Sequence, residues 1–213
     1  MKTKKPMVKE TVGAQYYAFN QPDTSGEYQA DSSKYDEVIK TENVKNIGVT
    51  ENMESTPIKA SGKDYVTVNQ TSSVDLAVEN TAVEPDDLAK MRSETMNEGG
   101  LISSGSSSQR PYFAYGKVVK KLGGGFRYEW YPKCQLVENT DDIATKEESF
   151  SEQNDTLTIR AYPFDSNENI KVYVDSEASN FPEGITEEKF FTKPILTQAD
   201  LTAAISVAQT PGA

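Results

Sequence analysis

Few residues in this chain could do chemistry. Its 213 residues include no histidine and a single cysteine, Cys134. Without histidine the commonest general base is missing, and with it Ser-His and Cys-His nucleophilic pairs and most zinc sites. One cysteine permits neither an internal disulfide nor a cysteine-based metal cluster, so Cys134 reads as a half-buried strand residue. Carboxylates remain. The stretch from Glu138 to Gln153 carries Glu138, Asp141, Asp142, Glu147, Glu148 and Glu152 against one basic residue, Lys146. Paired carboxylates can act as acid and base across a glycosidic bond, but only in a pocket that sets them apart, and nothing nearby announces one. The run reads as a solvated loop. A calcium loop would need oxygen ligands at a fixed spacing around a central Gly, which is missing. Gly123, Gly124 and Gly125 could cradle a phosphate only by leading into a helix N-terminus; they lead instead into the aromatic run from Phe126. No catalytic residue, cofactor or metal is expected, and the chain reads as a non-enzyme.

The elements that carry these residues are mostly strands. Ala14 to Phe19 has the aromatic content of a strand, and Pro22, Asp23 and Ser25 supply turn chemistry after it. Val38 to Val49 brings β-branched residues back at short intervals. Thr50 to Asp64 is polar with isolated apolar residues, Met53 and Ile58, and reads as an extended excursion. Val66 and Val68, then Val74, Leu76 and Val78, alternate with polar neighbours at the period of a half-buried strand. Pro85, Asp86 and Asp87 open a helix predicted to reach about Asn97 and to stop at Gly99 and Gly100. A Ser-rich loop follows. The strongest local signal is a long hairpin, Tyr112 to Leu122 and Phe126 to Val137, closed by the three glycines. Leu157, Ile159 and Ala161 mark a further strand, and Ile170 to Val174 a shorter one. Thr186 can cap a short helix over Glu187 to Phe191, which Pro194 stops. From Asp200 onward the chain reads as a mobile tail.

Composition bounds the rest. Counting Gly and leaving out Tyr gives roughly 37% apolar residues, against a typical ~45–50%. A core that lean means either that some of the chain is loosely ordered or that some residues reach full burial only against another subunit. The formal charge of −11 (22 basic, 33 acidic) opposes gripping nucleic acid, which needs cations on phosphates. The Lys-rich start has no apolar stretch behind it, so neither a signal peptide nor a membrane anchor is expected there, and the chain is expected to be made in a cytoplasm.

The order of these elements, with several of their residues, resembles the major tail proteins of long, flexible-tailed phages, the tail tube subunits. The resemblance spans roughly Val12 to Pro194. It begins at Val12-Gly13-Ala14-Gln15-Tyr16-Tyr17-Ala18 and continues through Val44 to Val49, Ser61-Gly62-Lys63-Asp64-Tyr65, and the Val74 to Val78 strand before the Pro85 helix. Its most specific part is Tyr112-Phe113-Ala114-Tyr115-Gly116-Lys117 with Phe126-Arg127-Tyr128-Glu129-Trp130-Tyr131, followed by Leu157 to Ala161. The basic start, the stretch from Asp23 to Asp36 and the segment beyond Pro194 depart from the family pattern.

The resemblance implies a mainly β fold, a sandwich of two packed antiparallel sheets with one flanking helix and extended arms. The division expected along the chain is a basic arm at residues 1–11, one domain over 12–197 and a flexible tail over 198–213. The resemblance further implies stacked hexameric rings that form a tail tube in the virion, with tail terminator, tail tip and tape-measure proteins as partners. Double-stranded DNA would pass through without specific binding, and no membrane is involved. The excursion, with Thr50, Met53, Ile58 and Asp64, is then the candidate for reaching the next ring. Asp141, Asp142, Glu147 and Glu148 are candidates for an acidic lumen that repels the duplex. Two rivals stand beside this reading: a monomeric β-sandwich recognition module, and a carboxylate glycoside hydrolase using Glu147 or Glu148.

Overall fold

The computed structural model describes residues 5–105, 109–141, 143–145 and 152–206. Chain order is β1 (Lys9–Phe19), β2 (Ile39–Thr41), β3 (Val44–Ala60), β4 (Lys63–Asn80), α1 (Pro85–Arg92), β5 (Thr95–Met96) and β6 (Ile102–Ser103). It continues with β7 (Phe113–Lys121), β8 (Phe126–Asp141), β9 (Asp155–Ala161), β10 (Val172–Asp175), α2 (Glu187–Phe190) and α3 (Gln198–Ser206). The fold is mainly β, as expected. The large sheet is antiparallel in the order β2-β1-β7-β8-β9-β4-β3, with β10 also on β8, while β5 and β6 form a small separate pair.

The two layers are joined as parts of one curled sheet. Strands β7, β8 and β9 lie between β1 and β4 in the sheet, yet Gln15 on β1 donates to Asn80 Oδ1 at the end of β4 (2.7 Å) and to Asn43 Oδ1 (2.9 Å). Curling gives the sheet two apolar faces, as the period-two alternation requires. On the inner face Tyr17, Val78, Phe113, Tyr115, Leu136 and Ile159 share one core, which Met91 of α1 closes. On the outer face Tyr16, Tyr128 and Trp130 pack under the C-terminal segment. There Phe191 stacks on Tyr16 with centroids 3.9 Å apart, and Trp130 Nε1 donates to the Phe190 carbonyl (3.1 Å). Gly116 is required at this layer, since a Cβ would stand 2.7 Å from the Phe191 ring.

Several elements differ from the sequence expectation. Helix α1 stops early because Ser93 takes the left-handed conformation (φ 58°). Gly100 belongs instead to the turn between β5 and β6. The segment expected to be a tail from Asp200 holds α3, whose Leu201, Ala204 and Ile205 pack on the outer core; residues 207–213 lie outside the described set. Of the two C-terminal helices, α2 meets the expectation of a short helix capped by Thr186, and α3 is additional. The basic arm merges into β1 at Lys9. The Asp23 to Asp36 stretch is tied down by Asn20, which donates to the Gln29 carbonyl (2.9 Å), and the nearby Tyr35 hydroxyl reaches the Pro132 carbonyl (2.9 Å). Cys134 is fully buried, beyond the half burial expected, with its Sγ donating to the Tyr131 carbonyl (3.3 Å).

Candidate assembly surfaces

The expected excursion is a hairpin arm. Strands β3 and β4 pair from Val44↔Asn80 to Ala60↔Lys63, and the pairing of β4 with β9 covers only Val74 to Asn80. Beyond that root, the outer parts of β3 and β4 pair only with each other. Glu54 to Ala60, at ~3.3 Å per residue, extends roughly 20 Å. Positive φ at Ser61 and Gly62 (52° and 75°) closes the arm with the two-residue turn that matches strand twist.

The root is held by charge. Arg160 on β9 donates twice to Asp75 on β4, at 2.7 and 3.0 Å, and Asn52 Nδ2 adds a third donor (3.0 Å). Chiefly through the Arg160 hydrogen bond, the Asp75 carboxyl is held below the ordinary aspartate range. Lys171 pairs with Glu51 (3.3 Å) beside this level, and further out Gln70 bonds Glu168 (2.7 Å).

Past the root the arm exposes apolar side chains. Ile58 stands opposite Val66 and Thr56 opposite Val68, which places Ile58, Val66 and Val68 on one face. Each of these three is about half exposed, and Tyr65, at the register shift beside them, is 79% exposed. A two-stranded hairpin alone in water is marginal, and an apolar face at its end marks a contact surface. Pro57, which has no N–H, sits on the free edge of β3 and limits edge-to-edge pairing there. The four residues singled out in the sequence, Thr50, Met53, Ile58 and Asp64, all lie on this hairpin, with Thr50 at its root and Asp64 at its tip.

The acidic candidates are less gathered. Asp141 ends β8 opposite Asp155 and is exposed. Asp142, Glu147 and Glu148 lie outside the described residues. Among the described residues no group of three or more His, Cys, Asp or Glu could hold a metal ion. No described helix is long and apolar enough to cross a membrane.

A second surface has no counterpart in the sequence reading. Where the curled sheet brings the start of β1 near β3, a cleft of about 510 Å³ opens, lined among others by Lys9, Lys45, Lys117 and Arg127, with Glu10 at its rim. At its floor the buried Glu129 carboxylate serves two cations, Lys117 Nζ at 3.3 Å and Arg127 Nε at 2.6 Å, and accepts from the Tyr131 hydroxyl (3.0 Å). Burial pushes the Lys117 ammonium below its ordinary range against the pull of Glu129. Only the cross-strand register Lys117↔Glu129 could have hinted at this floor; the rim residues come from strands far apart in sequence.

The chain matches no protein-family model and no curated protein. Among solved structures it is similar to a chain of the anti-feeding prophage (AFP) baseplate determined by cryo-EM and 6-fold symmetrised. That similarity has 10% sequence identity and a TM-score of 0.46, over 83% of this chain and 100% of that one.

Proposed function

We propose that this protein is a structural subunit of a phage tail that joins copies of itself into stacked hexameric rings, forming a tube through which double-stranded DNA passes. The observation that carries this reading is the β3–β4 arm, whose outer parts pair only with each other among the described residues and leave Ile58, Val66 and Val68 about half exposed. The arm reaches the next ring and its apolar face is buried there. The free outer edge of β3 and the short end strand β2 leave both ends of the sheet open for lateral neighbours.

No step of this function needs a catalytic group or cofactor. Tail terminator, tail tip and tape-measure proteins are the partners the reading implies, and the virion tail is the location. The charge of −11 per copy, with Asp141, Asp142, Glu147 and Glu148 as the acidic lumen candidates, keeps the duplex from adhering as it slides.

Negative-stain microscopy of the purified protein tests the reading. Rings and stacked tubes with six-fold end views are expected. A monodisperse monomer at every concentration would favour a recognition module instead.

A further inference from the structure

The cleft between β1 and β3 is basic although the chain as a whole is strongly acidic. Lys117 is 6% exposed and Glu129 3% exposed, so the charges at its floor are largely withdrawn from water. Lys117 and Arg127 share that single carboxylate, leaving one positive charge in excess where water screens it poorly. Arg127 Nε is buried against Glu129 Oε1 at 2.6 Å. At the rim Lys9 adds another cation near Glu10, whereas Lys45 is already engaged by Glu152 at 2.5 Å.

We infer that this cleft is a carboxylate-accepting socket, filled in the assembled protein by an acidic side chain of a neighbouring copy of this chain. A carboxylate entering between Lys9 and Arg127 would meet the excess charge and accept from the Lys9 ammonium. The neighbouring copy is the occupant for two reasons. Thirty-three acidic residues against 22 basic make carboxylates the commonest charge on its surface. The cleft also lies beside the open outer edge of β3, where a lateral neighbour would sit. A phosphate on a nucleic acid would have to approach against the repulsion of the whole chain. The inference rests on the self-assembly reading and specifies one of its contacts.

The test uses assembled particles made from mixed ¹⁴N and ¹⁵N protein, treated with a carbodiimide that joins amine directly to carboxylate. Peptide mass spectrometry should find mixed-isotope links from Lys9 to an Asp or Glu of another copy. The double variant Lys9→Gln, Arg127→Gln should need about tenfold more protein to assemble at low salt and should lose most of the salt dependence of the wild type. Lys9→Gln alone, at an exposed side chain, should shift the threshold in the same direction and serves if the double variant does not fold. Particles without such links, or variants that assemble at the wild-type threshold, overturn the socket while leaving the tube reading intact. Protection of Lys9 that requires added duplex DNA overturns it in favour of a phosphate. Absence of any particle overturns both readings.

Discussion

Arg160 and Asp75 lie opposite each other on β9 and β4, joined by two hydrogen bonds one residue from the last level where the arm is still attached to the body. The pair is partly exposed, so solvent screens it and its contribution to stability is modest, about 0.5–1 kcal/mol. Arg160→Leu should lower the free energy of unfolding measured in urea by that amount. It should also raise hydrogen exchange in β3 and β4 near the root while leaving the β7–β8 hairpin unchanged. Uniform loss of protection across the sheet would show that the pair supports the body and not the arm.

Asp36 and Asp75 are among the carboxyls that set the acid limit of the protein. Hydrogen bonds from Lys90 to Asp36 and from Arg160 to Asp75 are the leading causes holding these carboxyls below the ordinary value. A carboxyl more acidic in the folded state stabilises above the unfolded value of ~3.9 and loses that contribution as pH falls through its folded value. With no histidine in the chain, stability should be flat from about pH 7 to 5 and should fall below about pH 4. Urea midpoints across that range check this; a slope between pH 7 and 5 would contradict it.

Gly116→Ala should destabilise by about 1–3 kcal/mol, because the new methyl would meet the Phe191 and Trp130 rings at 2.7 and 3.0 Å. The loss should be visible in the Trp130 emission as the C-terminal segment shifts. An unchanged midpoint would mean that this layer packs loosely.

Cys134 should be inert in the native protein. It is fully buried, and burial pushes its thiol far above the ordinary range, so almost no thiolate is present or reachable. A disulfide reagent should react with it only after unfolding; rapid labelling of the folded protein would contradict its placement.

The hairpin β7–β8 was legible because aromatic alternation on both sides of Gly123 and Gly124 leaves one arrangement, and both glycines do take positive φ (85° and 86°). The start of α1 was legible from Pro85 for the same kind of local reason. Its end was not, because Ser93 took a left-handed conformation usually left to Gly, and the glycine signal served a later turn. Helix α3 was missed because small residues such as Ala203 and Ala204 mask the Leu201, Ala204, Ile205 spacing that packs on the outer core. The β4 side of the arm was legible in the alternation at Val66 and Val68, whereas its β3 side from Thr50 onward read as an excursion, since its side chains lack the burial that makes alternation conspicuous. The basic cleft had no local signature at all. Lys9, Lys45, Lys117 and Arg127 come together only through the curl of the sheet.

The central claim is that the exposed face of the arm exists to be covered by another copy. Ile58→Ser with Val66→Ser alters only partly exposed positions, so the variant should keep the wild-type fold, within about 0.5 kcal/mol. Sedimentation velocity over a concentration series compares it with the wild type most directly. The account predicts that the wild type shifts into ring-sized and larger particles while the variant does not stack. Identical sedimentation of the two proteins as a single small species, or equal stacking by both, would contradict it.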